Sequence, residues 1–115
     1  MITTIRETLH RQIKAFEYLK ELLVGEFNML MKGQVDDVSS QEFAIQELLR
    51  QVASERESLP RLLATIDPRA RRVRDIFGSI DREVADEFQA MLDDLDKIEQ
   101  ICSKQAGKNS HLAMG

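Results

Sequence analysis

The chain has 115 residues, 43% hydrophobic and 31% charged, with 5 Gly, 2 Pro and no Trp. That length fits one domain, and the abundance of Leu, Glu, Arg, Lys, Gln and Ala favours helix and excludes a collagenous or disordered chain. A net charge of −4 argues against nucleic acid as the main partner and favours basic or amphipathic ones.

The first segment reads as one long helix. Thr4 followed by Glu7 has the form of a capping box, and apolar residues recur at Ile5, Leu9, Ile13, Phe16, Leu19 or Leu23, Phe27 and Leu30. Lys32-Gly33 has the form of a helix end, a cation near the negative pole followed by a residue that tolerates positive φ. A second helix is predicted to begin within Gln34–Ser40. Ser39 and Glu42 offer a capping box with Val38 stapled to Phe43, or Asp36 caps an earlier start. Its apolar face runs Ile45, Leu48 or Leu49, Val52, Leu59, Leu62 or Leu63 and Ile66, and Arg56 interrupts it. Pro60 predicts a kink or a break around Ser58–Pro60.

Asp67-Pro68 has the form of an N-cap with proline in the first turn, followed by the basic cluster Arg69, Arg71, Arg72 and Arg74. Gly78-Ser79 is expected to divide a short helix from a final long one, with Ser79 as its N-cap. In that helix Phe77, Val84, Met91 and Ile98 recur every seven residues, with Phe88, Leu95 and Cys102 as the companion row, a coiled-coil seam. From Ser103 the chain turns polar, and 103–115 is expected to be a frayed tail. No window alternates as a strand does. The expected architecture is all-α and coiled-coil-like. It is one domain with an antiparallel hairpin over 1–66, a long third helix within 67–102, and three or four helices in all.

Catalytic patterns are absent. His10 and His111 lie far apart in sequence, the single Cys102 excludes an internal disulfide, and no phosphate loop or serine elbow occurs. The expectation is therefore no enzyme, metal or cofactor. Cys102 sits in an apolar row and is expected to pack rather than react. The acids Glu21, Glu26, Asp93, Asp94 and Asp96 lack the Glu-x-x-His spacing of a di-iron bundle and read as a solvated face. The arginine cluster lacks interleaved aromatics and reads as a solvated turn pairing with nearby acids. No stretch reaches the ~20 apolar residues of a membrane span, and Met1–His10 lacks the layout of a secretion signal.

The segment Leu22-Leu23-Val24-Gly25-Glu26-Phe27-Asn28-Met29-Leu30-Met31-Lys32-Gly33 resembles the end of the first helix in FlgN-type flagellar export chaperones. Asp37-Val38 and Gln46-Glu47-Leu48-Leu49 keep the family's distance to the next apolar pair, with Ile45 where relatives often carry lysine. Asn109 with Leu112 resembles the asparagine-containing stretch that closes family members, without its second asparagine. The resemblance implies a cytoplasmic chaperone that binds a C-terminal segment of hook–filament junction proteins, and it brings in components of the export apparatus as further partners. By resemblance the client lies along the last helix. With the apolar pattern, that nominates Phe88, Leu92, Leu95, Ile98 and Ile101, with Asn109 and Leu112 ordering on binding. Leu95→Asp or Ile98→Asp is then expected to abolish binding. Two other readings remain open on the residues alone: a coiled coil closed by self-association into a homo-oligomer, and a small adaptor acting through the arginine cluster.

Overall fold

The chain first reverses at Gly33, whose φ of 68° and ψ of 27° place it in the left-handed region that a side chain resists. There the Gly33 and Gln34 N–H groups donate to the carbonyls of Leu30 and Met29, closing the first helix with a Schellman motif. The structure, a computed structural model, describes residues 1–115. It contains α1 (Ile2–Lys32), α2 (Val35–Ala64), a 3₁₀ helix (Val73–Ser79) and α3 (Arg82–Met114), and no strand.

Both helix starts fall earlier than the capping patterns suggest. Thr4 lies inside α1, where its carbonyl accepts the Thr8 hydroxyl at 2.9 Å. Ser39 lies inside α2, with its hydroxyl 3.5 Å from the Val35 carbonyl. The extra turn of α1 has packing to gain, since Ile2 covers the core, and in α2 the half-buried Val38 lies near Met29 and Leu30 at the hairpin turn. Asp36 and Asp37 sit in the first turn of α2, where the helix dipole favours carboxylates.

Pro60 does not end α2, which runs on to Ala64. Proline removes one donor to the Arg56 carbonyl, but Leu63, fully buried, and half-buried Leu59 and Leu62 keep the helix seated. Asp67 caps a single turn instead of a helix: its carboxylate accepts the Arg69 N–H and its carbonyl the Ala70 N–H. Asp75 then accepts the backbone N–H groups of Arg71 and Arg72, both at 2.9 Å. The acids near the arginine cluster thus hold its backbone, and Arg69, Arg71 and Arg72 remain exposed. Ser79 closes the 3₁₀ helix, and Asp81 takes the N-cap position of α3.

The expected antiparallel hairpin and long third helix are both present. Gln41 of α2 reaches the Leu22 carbonyl and Gln12 of α1 the Val52 carbonyl, so α1 and α2 run in opposite directions. Arg6 pairs with Glu87, Cys102 with the Phe16 carbonyl, and Asn109 with the Leu23 carbonyl, so α3 runs parallel to α1. The reason is the connection over 65–81, which crosses the end where α2 stops and starts α3 there. The result is an up-down-up bundle of 52 × 21 × 19 Å with α1 at its centre. α1 buries side chains on two flanks from Ile5 to Glu26, whereas α2 buries only Ile45, Val52 and Leu63.

Two apolar clusters fill the bundle. One joins Ile5, Leu9, Leu63, Phe88 and Met91 to Ala70, Val73 and Ile76 of the crossing segment. The other joins Phe16, Leu19, Leu22 and Leu23 to Ile45, Val52, Leu95 and Cys102. Beyond Cys102 the polar stretch read as a frayed tail is helix to Met114, because Asn109, 3% exposed, still faces α1 and bonds to it.

Candidate functional site

Along the second cluster α2 and α3 each pack on α1 more than on one another. Between them opens a groove of about 320 Å³. Phe16, Leu19 and Leu23 of α1 form its floor, Ile45 and Leu49 one wall, and Cys102 and Ala106 the other. From Phe16 to Glu26 the floor spans about 15 Å of helix, roughly three turns. Leu49, 37% exposed, forms part of the wall, and Phe43, 69% exposed, stands on the turn of α2 above it. Gly25 lies under the upper part of α2, where a Cβ would come within 2.7 Å of the Gln41 amide nitrogen. Its absence lets Gln41 donate to the Leu22 carbonyl at 2.8 Å and draws α2 onto α1 there.

Arg56, the misfit in the apolar face of α2, closes the lower end of the groove. It donates to Gln12 at 2.9 Å, pairs with Glu99 of α3 at 2.7 Å and lies over the Phe16 ring at 5.1 Å. Gln12, 3% exposed, in turn reaches the Val52 carbonyl at 3.4 Å. One guanidinium thus ties all three helices where the sealed part of the bundle meets the open part.

The upper end of the groove is acidic. Glu26, 7% exposed, accepts a 2.7 Å hydrogen bond from the Asn109 amide, which also donates to the Leu23 carbonyl at 2.7 Å. Gln105 donates to the Asn109 oxygen at 2.9 Å, so the whole Asn109 amide is held. Burial and the neighbouring Glu42 carboxylate raise Glu26 to about 6, against a smaller lowering by Asn109. Glu42, the more exposed partner, is held below the usual carboxylate range by its hydrogen bonding to Glu26 and Gln46. When the pair shares one proton, burial places it on Glu26.

The nominated client surface is arranged otherwise. Phe88 is fully buried and Leu95 nearly so, both facing α1, and Leu92 packs against the first cluster. Ile98 borders a shallow depression with Glu17, Lys20, Glu21 and Val24, on the flank of α3 turned away from α2. At about 100° per residue, exposed Ile101 and half-buried Leu112 fall on that same flank. None of the seven nominated residues lines the groove, although Asn109 positions one that does. The heptad row marked a helix–helix seam, but its partner is α1 of the same chain. Apart from Cys102, the groove residues of α3 are Glu99, Ser103 and Ala106, polar or small, and they carry no apolar signal in the sequence. Cys102 donates its thiol to the Phe16 carbonyl at 3.3 Å, and burial raises its pKa, which suits packing. No group of three or more His, Cys, Asp or Glu is placed to hold a metal ion, and no helix is long and apolar enough to cross a membrane.

Fold and groove together define a class, small all-α bundles with a lengthwise groove between two of their helices. A match to the family described as FlgN protein spans residues 1–114, and the chain belongs to the FlgN family. That is a family of flagellar export chaperones, which gives this chain a role in flagellum assembly and flagellar proteins as partners. No curated protein sequence and no solved structure matches the chain.

Proposed function

We propose that the chain holds the C-terminal segment of hook–filament junction proteins as an amphipathic helix in the groove between α2 and α3. Bound this way, the client stays soluble and export-competent in the cytoplasm. The observation that carries the proposal is the groove between α2 and α3, floored by Phe16, Leu19 and Leu23 and walled by the exposed Leu49, in a bundle whose other end is sealed. A fourth helix laid there would complete a four-helix arrangement and remove Leu49 from water. Ordering a disordered segment costs conformational entropy, so binding would be reversible, which suits delivery.

The test is titration of the purified chain with junction-protein C-terminal peptides, followed by circular dichroism and fluorescence anisotropy. Leu49→Asp and Ala106→Trp, which charge and fill the groove, are expected to weaken binding at least about tenfold, equivalent to about 1.4 kcal/mol. Ile101→Asp, on the opposite flank of α3, is expected to bind as the unaltered chain does. The reverse pattern would place the client on the α1–α3 flank and overturn the groove.

A further inference from the structure

We propose that the groove selects a client helix that carries a lysine or arginine about one turn beyond its apolar stripe, received by Glu26 and Glu42. The proposal rests on the groove as the client's seat and adds the feature by which a client is told from any other amphipathic helix.

The charged side chains lining the groove are Glu26, Glu42 and Glu99, with no cation among them. Glu99, at the lower end, is already neutralised by Arg56 at 2.7 Å. Glu26 and Glu42, at the upper end, take part in none of the chain's four ion pairs. The unbalanced negative charge is therefore confined to one end of an otherwise apolar trough. An apolar helix laid over that end would strip water from two carboxylates and return nothing. A helix with a cation there would replace the lost water with charge-assisted hydrogen bonds.

The receiving group is also built in advance. Asn109 is fixed by Gln105 on its oxygen side and by the Leu23 carbonyl and Glu26 on its nitrogen side. The Glu26 carboxylate is thus held beside Glu42 before any client arrives. Gln46, one turn further along α2, donates to one Glu42 oxygen at 3.2 Å. Pre-positioned acceptors lose little freedom on binding and so discriminate between side chains better than mobile ones. The elevated affinity of Glu26 for a proton reports the same uncompensated charge, which an ammonium or guanidinium would relieve.

The experiment uses the full chain and two fluorescent peptides from a junction-protein C-terminus, identical except that the basic residue flanking the apolar stripe is replaced by glutamine in one. The unaltered chain is expected to bind the basic peptide about tenfold more tightly. In Glu26→Gln, which keeps an acceptor for Asn109, and in Glu42→Gln, on the exposed side of the pair, that ratio is expected to fall toward one. The glutamine peptide should bind the variants at least as well as it binds the unaltered chain. Equal binding of both peptides to the unaltered chain, or an unchanged ratio in Glu42→Gln with its helicity intact, would overturn the selectivity and leave the groove standing. Binding of both peptides that survives Leu49→Asp would overturn the groove itself, and the selectivity with it.

Discussion

The two ends of this bundle are built from the same α1 and differ in what closes over it. At the end holding Ile5 and Leu9, α2 and α3 are bridged by the crossing segment, whose Ala70, Val73 and Ile76 fill the space between them. At the end holding Phe16 to Leu23, nothing plays that part, and the space remains as the groove. Both ends carry apolar residues of similar kind, so apolar content does not tell stability from binding. What distinguishes them is whether the chain supplies its own fourth element.

If the sealed end carries the stability, truncating it should give the largest effect. Phe88→Ala removes a fully buried ring there and is expected to cost about 3–5 kcal/mol in urea denaturation. Leu49→Ala, on the wall of the open end, should cost less than about 1 kcal/mol while weakening client binding. Comparable losses from the two would erase the division of labour. Leu95, 8% exposed, belongs with the stabilising set, so Leu95→Asp is expected to unfold the bundle and cannot report on a client site.

The open end has one strong tie of its own, the Asn109–Glu26 bond. Asn109→Ala removes the donor that holds both Glu26 and the Leu23 carbonyl, and about 1–3 kcal/mol of destabilisation is expected. Hydrogen exchange should place that loss in α3 beyond Cys102, with the sealed end protected as before.

The Glu26 proton sharpens the contrast by pH. Its value is raised from 4.5 to about 6 in the fold, so the protonated form is favoured by folding. The associated stability is fully present below about pH 4.5 and is lost as pH rises through about 6. Acidifying from pH 7.5 to 5 should therefore stabilise the chain by about 1 kcal/mol relative to Glu26→Gln. Glu42, Asp75 and Glu87 are shifted the other way, and their contributions fall away only at lower pH. A pH profile that is parallel in the two proteins would mean that Glu26 carries no such proton.

The helices were legible in the sequence because each has a long apolar face, and Gly33 was legible because only glycine accepts that turn cheaply. Helix starts were less so: side-chain caps compete with tertiary packing, and at Ile2 packing set the boundary. The site was least legible. A heptad row such as Phe88–Leu95–Cys102 says that a partner helix exists without saying whose it is, and here α1 covers it. A groove depends on where two helices fail to meet, which is a property of three helices at once. Two signals did point toward it. Glu26 and Asn109, both within the stretches that resemble the FlgN family, meet at 2.7 Å. The other was Arg56, the break in the face of α2.

The smallest expected effect tests that break. Arg56 and Glu99 are 41% and 34% exposed, so their pairing should contribute only about 0.2–1 kcal/mol in a double-mutant cycle and less at high salt. The cycle is needed because Arg56→Ala alone also strips a donor from buried Gln12 and a cation from the Phe16 ring. If Arg56 sets where the sealed end stops, Arg56→Leu should lengthen the groove past Phe16 toward Gln12 and admit a client helix extended by a turn. With a measurable coupling and a longer footprint, the boundary is electrostatic. A coupling of zero with an unchanged footprint would mean instead that packing around Phe16 and Val52 sets it, with the arginine only resting on top.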